Sequence, residues 1–232
     1  NEKDIGNFIK ANRIEKKIKI ITKIPSLKTT KKKDITKILE KSLKNLNIKK
    51  FPTIFFHDQN DIDFILEKNF FFQKIKKEFG NPNFGLSLYD KKVLKKIDKM
   101  NLINCVQVPL NFLNDDFLKL KYKKNFKIFA RSIFLQGFLI NEKINYINLD
   151  NKTISAHKKY FIYLKKNKID PLKFCLSFIN SVKKLDYYIF GTNYASQLKE
   201  ILQAKRSSNI DLIKLNEIRS LFKNSTLDPR KW

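Results

Sequence analysis

The chain has 232 residues, with 49 lysines and arginines against 22 acidic residues, for a formal net charge of +27. A hydrophobic fraction of 42% with 21 phenylalanines excludes a disordered chain, and no apolar stretch approaches the roughly 20 residues of a membrane-spanning helix. No CxxC occurs and the two histidines share no ligand spacing, so a Cys/His metal site is not expected.

The charge raises the question of a nucleic-acid partner. Against it, the lysines are spread along the whole chain. The aromatics sit in apolar runs such as Phe55-Phe56 and Phe70–Phe72, not among basic clusters where they could stack on bases. No specific nucleic-acid partner and no membrane partner is expected. Cys105 and Cys175 lie within apolar runs, which reads as buried, reduced thiols and a cytoplasmic protein.

In chain order, Glu2–Lys10 reads as a short helix, and Ile18–Lys23 as a strand stopped by Pro25. Asp34–Leu46 carries apolar residues at helical spacing. Thr53–His57 is a second strand. Asp61–Glu78 is helical with a break near Asn69, and Gly80-Asn81-Pro82 turns the chain back. Asn83–Ser87 is a strand, Asp90 caps a helix over Lys91–Lys99, and Cys105–Val108 is a strand ended by Pro109. A helix over Asp115–Lys123 and a strand over Ile128–Ser132 follow. Ile133–Asp150 reads as a long loop, and Lys152–Lys166 and Pro171–Lys184 as helices, with His157 on a solvated face. The strand Tyr187–Thr192 precedes helices Ala195–Lys205 and Asp211–Phe222.

Strands alternating with amphipathic helices imply an α/β domain with a parallel sheet covered by helices. Each strand closes on a polar residue. In a closed parallel barrel these C-terminal strand ends share one face, where barrel enzymes build their sites. The endings are Lys23, His57, Ser87, Gln107, Ser132 beside Arg131, and Thr192 after Gly191. Each has a plainer reading as well. Lys23 could lend charge to a neighbouring acid or be a solvated lysine. His57 could bind a carbonyl and move a proton, or be structural. Arg131 could pair with phosphate or lie on the surface. Gly191-Thr192-Asn193 leads into a helix N-terminus, a common anion site. No GxGxxG or GxxxxGK[ST] fingerprint is present.

Taken in order, IITK, FFH, GLSLYD, NCVQVPLN, ARSIFLQG, FGTNYASQLKEIL and DPRKW resemble the aldo-keto reductase family over essentially the whole chain. They resemble most a bacterial branch associated with carbohydrate metabolism. The resemblance implies a (β/α)8 TIM barrel forming a single domain over 1–232, with 211–232 as C-terminal helix and tail. It implies NADPH or NADH as cofactor and reduction of an aldehyde, ketone or sugar-like carbonyl by hydride transfer.

Lys23 matches the lysine that tunes the family's proton-donating tyrosine, and His57 the histidine that orients the carbonyl. Ser87 and Gln107 match the nicotinamide carboxamide site and Ser132 the pyrophosphate turn, while Arg131 departs from the pattern: it stands where many members place a tyrosine that stacks on the nicotinamide, a role a guanidinium plane could fill. Gly191, Thr192, Asn193 and Gln197 match the adenosine site, and Trp232 the rim of the substrate pocket. Gln197 stands where members preferring NADPH often carry arginine, which leaves the cofactor preference open. The family's aspartate and tyrosine have no match. The barrel is therefore expected to be incomplete here, with about six strands, and the chain to be inactive alone. The rival expectations are a non-catalytic barrel that binds a nucleotide or protein, and a basic nucleic-acid binder.

Overall fold

The structure, a computed structural model, describes residues 1–120, 125–145, 147–206, 214–228 and 230. Contacts divide these into two compact units: Asn1–Val108 with Leu120–Ile128, and Pro109–Lys119 with Phe129–Trp232.

The first unit opens with α1 (Glu2–Asn12), followed by β1 (Ile21–Ile24), α2 (Lys32–Leu46) and β2 (Thr53–Phe56). It continues with α3 (Ile62–Glu67), α4 (Asn69–Glu78), β3 (Asn83–Ser87), α5 (Lys91–Ile97) and β4 (Ile103–Pro109). Strands β1 to β4 pair in parallel in chain order. Their register sorts side chains onto two faces, because successive residues of a strand point to opposite sides. Ile24, Phe56, Leu86 and Val106 form one row, all buried and covered by helices. Lys23, Phe55, Gly85 and Cys105 form the other.

A register shift between Phe84 and Gly85 adds one residue on β4. It lets Asn104 accept from the Lys76 ammonium of α4 at 3.0 Å and brings Cys105 and Gln107 to the same face as Lys23. Bulges commonly re-aim a side chain in this way. Helix α1 lies so close to α2 that a Cβ on Gly6 would meet the Asn45 carbonyl oxygen at 1.9 Å.

The second unit holds the end of β5 (Lys127–Arg131), paired in parallel with β6 (Tyr187–Tyr188). It also holds α6 (Asn151–Lys166), α7 (Pro171–Ser181), α8 (Ala195–Arg206) and α9 (Leu215–Leu221). Its core is aromatic: Phe112, Phe138, Tyr160 and Phe174 are fully buried, and each such burial contributes about 1.5–3 kcal/mol. The Arg219 guanidinium donates to the Phe112 carbonyl at 2.6 Å and to Asp115 at 2.8 Å. Burial pushes the Asp115 carboxyl up, but hydrogen bonds and charge from Lys119 and Arg219 outweigh it and leave the group below its ordinary value.

The α/β class of (β/α)8 barrel type, with six parallel strands among the described residues, is the class expected. Details differ. The expected helix over Asp115–Lys123 is a single 3-10 turn at Asp116–Lys119, with 121–124 outside the described residues. The last strand is two residues, not six. His157 is not at the surface. It is fully buried between the rings of Phe138 and Phe161, and its Nε2 is 2.9 Å from the Phe138 carbonyl oxygen.

Candidate active site

In the first unit, β1 ends at Ile24 because Pro25 cannot donate to a ladder. The N–H of His57 donates to the Ile24 carbonyl at 3.1 Å. This extends the β1–β2 pairing by one residue, and the alternation then carries His57 to the face of Phe55 and Lys23. Both Lys23 and His57 are exposed. Ser87 and Gln107 pair in register at the ends of β3 and β4 and are 5% and 3% exposed. Four of the expected site residues therefore share one face and one end of the four-stranded sheet.

The Lys23 ammonium donates to Oε1 of Gln107 at 2.7 Å. Lys23 is on β1 and Gln107 on β4, three strand spacings apart, or about 14 Å in a flat sheet. The contact closes because the sheet coils with this face concave. The lysine holds the Gln107 oxygen, which turns the amide N–H₂ donors elsewhere. Phe55 floors the face, its ring lying where a side chain on Gly85 would stand.

The loops at this end are tied together. Asp61 is 3% exposed and accepts from the Leu27 N–H at 2.8 Å and from the Ser26 hydroxyl at 3.4 Å. Burial pushes its carboxyl up, and the Leu27 hydrogen bond partly offsets this. Gln59 Oε1 accepts from the N–H groups of Tyr89 and Asp90 at 2.6 and 2.8 Å. Neither tie was expected from the sequence. A carboxylate and an amide closely following a strand end are the only signal they leave.

In the second unit, Arg131, Ser132, Gly191, Thr192, Asn193 and Gln197 all line one cleft of about 750 Å³. Ser132 has φ 57°, a left-handed conformation that costs a non-glycine residue about 1–3 kcal/mol. Leu135, Gln136 and Gly137 also have positive φ, at 47°, 56° and 88°.

The pattern of apolar runs does not mark the residue that holds this turn. Asn111 is 2% exposed, donates to the Ser132 carbonyl at 3.1 Å and accepts from the N–H groups of Leu113 and Asn114. At the entry to α8, Gln197 Oε1 accepts from the N–H of Asn193 at 2.8 Å and of Tyr194 at 3.3 Å. Trp232 lies outside the described residues.

These features fit a dinucleotide. The space a side chain on Gly191 would fill is open, so a ligand can approach the backbone there. Arg131 supplies a cation beside the Ser132 hydroxyl, 3.4 Å away. Among the described residues no group of His, Cys, Asp and Glu could hold a metal ion.

No curated protein matches the chain at a significant level. Solved structures do. The aldo-keto reductase AKR11C1 from Bacillus halodurans in its apo form superposes with a TM-score of 0.77 at 18% identity, over 100% of this chain and 80% of that one. Its holo form gives 0.76 at 17%, over 100% and 81%. The glycerol dehydrogenase AKR11B4 from Gluconobacter oxydans gives 0.70 at 16%, over 98% and 78%. At these identities the likeness establishes the fold. The family itself is established by the sequence model of the aldo/keto reductases, an oxidoreductase family, which matches residues 1–222: the chain belongs to the aldo/keto reductase family.

Proposed function

We propose that the protein reduces the carbonyl of an aldehyde, ketone or sugar-like substrate with NADH or NADPH, and that Lys23 and His57 act on the reacting oxygen. When bound, the reduced nicotinamide supplies the hydride. The observation that carries the reading is the concave face on which Lys23, His57, Ser87 and Gln107 converge.

The carbonyl oxygen gains negative charge as the hydride arrives, so a fixed donor and a cation help most at that moment. His57 is exposed at the strand end and can donate to that oxygen. The Lys23 ammonium stabilises an anion close to it and lowers the pKa of an acidic proton donor beside it. Ser87 and Gln107 hold the carboxamide of the nicotinamide, with Gln107 oriented through Lys23. In the second unit Arg131 and Ser132 hold phosphate, and Gly191, Thr192, Asn193 and Gln197 hold the adenosine half.

The test is nicotinamide oxidation against a panel of carbonyls. It uses this chain and, where the gene encodes residues ahead of Asn1, the whole product. Lys23→Met and His57→Ala should each lower kcat/KM by about 10²–10⁴, and His57→Ala should leave the cofactor Kd unchanged. Unchanged turnover in both variants would reject these roles.

A further inference from the structure

Four residues of the turn that follows β5 have left-handed backbone: Ser132, Leu135, Gln136 and Gly137, at φ 57°, 47°, 56° and 88°. Three of them are not glycine, and such a turn persists only where its surroundings over-determine it. Bonds within the turn supply part of that. The N–H of Leu135 donates to the Ser132 carbonyl at 3.0 Å, and those of Gly137 and Leu139 to the Phe134 carbonyl at 2.9 and 3.2 Å. Ser132, Gln136, Gly137, Ile140 and Asn141 line the second-unit cleft, so the shape of this turn is the shape of the cleft wall.

Further hold comes from α6, which gives the cleft no lining residue among those described. Two of its side chains, three positions apart and so on one side of the helix, take carbonyls of consecutive residues. Nε2 of His157 donates to the Phe138 carbonyl at 2.9 Å, and the Tyr160 hydroxyl donates to the Leu139 carbonyl at 3.0 Å. A carbonyl can only accept, so the imidazole carries a proton on Nε2. Both side chains are fully buried, and burial holds the Tyr160 phenol well above its ordinary pKa, which keeps it a donor. The Phe138 and Phe161 rings flank the imidazole at 4.4 and 4.8 Å. Leaving a buried polar group without its bond is costly, so neither the donors nor the carbonyls turn away cheaply.

A carbonyl oxygen repels phosphate. The oxygens of Phe138 and Leu139 are drawn to buried donors on α6, and that of Ser132 to Asn111 at 3.1 Å. All three are engaged within the protein and not against a ligand. Resting on the dinucleotide reading above, we infer that His157 and Tyr160 are positioning residues for the nucleotide, holding the left-handed turn from behind in the conformation whose cleft side receives phosphate. They touch no ligand and act through the backbone of Phe138 and Leu139. A turn free to relax would have to be re-formed at each binding event, which lowers affinity. Lys23 and His57 belong to the other unit. Loss of the hold should therefore act on nucleotide binding and not on the reaction of bound nucleotide.

The experiment is equilibrium titration with NADH and with NADPH, read by nicotinamide fluorescence, beside Tm and turnover at saturating nucleotide. His157→Phe and Tyr160→Phe keep a ring and remove the donor. Each should weaken the nucleotide that binds by about three- to tenfold, raising its KM and leaving kcat unchanged. His157→Gln, whose amide N–H can reach the same carbonyl, should recover most of the affinity; no recovery would remove the His157 bond as the cause. Ile218→Ala, a core change in α9, should lower Tm at least as much and leave the affinity as it was. Weakening by Ile218→Ala as large as by the donor variants would reduce the effect to general stability and overturn the inference. Unchanged affinity in one donor variant would remove that residue from the role. Unchanged affinity in both would overturn the inference and leave the dinucleotide reading standing. Binding of neither nucleotide by the unaltered protein would overturn both.

Discussion

Gly85 is a glycine because of Phe55. A Cβ on it would lie 2.4 Å from one ring atom of Phe55 and 2.6 Å from the next. That ring is fully buried and forms the floor between Lys23 and His57. Overpacking a filled core costs about 1–3 kcal/mol, so Gly85→Ala should destabilise the protein by that amount in urea unfolding. It should also weaken whatever Lys23 and His57 do, because the displaced ring sits between them. An unchanged unfolding midpoint would show that the floor yields freely.

At this scale the polar residues that end apolar runs point to Lys23, His57, Ser87, Gln107, Ser132 and the turn at Gly191; the first four share one face and one end of a sheet, and the last two line one cleft. The sequence is illegible where a polar side chain serves another residue. Asn111 supports the left-handed Ser132, and Asp61 and Gln59 tie loops together. None of them marks a strand end, and their partners lie 20 to 35 residues away, a pairing that local pattern cannot supply.

Elements were read well where periodicity was long, as in α2, α4, α6 and α8, and less well where tertiary contacts decide. β6 stops at Tyr188, although the N–H of Ile189 still bonds the Ala130 carbonyl at 2.7 Å. The backbone past it opens into the cleft in place of continuing the sheet.

Helix α6 holds the clearest misreading. The lysines around His157 suggest a solvated face, yet the imidazole points into the core and links α6 to the Phe138 carbonyl. Burial pulls its pKa below the ordinary histidine value, while hydrogen bonding to the Phe138 and Asn141 backbone favours the charged form and partly restores it. An imidazole whose folded pKa lies below its unfolded value of about 6.5 takes up its proton more readily in the unfolded chain. Its contribution to stability is therefore complete above about pH 6.5. It is lost as the pH falls, by at most about 1.4 kcal/mol per pH unit, until the folded pKa is reached. Calorimetric Tm should fall between about pH 7 and pH 5, and His157→Gln should flatten that slope. An equal slope in the variant would place the titration elsewhere.

Over the whole chain, the fold is shared with proteins only 16–18% identical. What is preserved at that distance is the alternation of buried strands and amphipathic helices, and that alternation is what the sequence displays. The charge of +27 lies outside it: the concave face and the cleft are built from a few polar residues that the lysine excess does not mark.

The claim that Lys23 and His57 serve hydride transfer is tested most directly by following the hydride itself. NADH bearing deuterium at the transferable C4 position is incubated with the carbonyl panel and the protein, and the alcohol is analysed by mass spectrometry. The account predicts deuterium on the former carbonyl carbon, with labelled product reduced by about 10² or more in Lys23→Met and His57→Ala. Unlabelled alcohol, or labelled alcohol formed equally well by both variants, would contradict it.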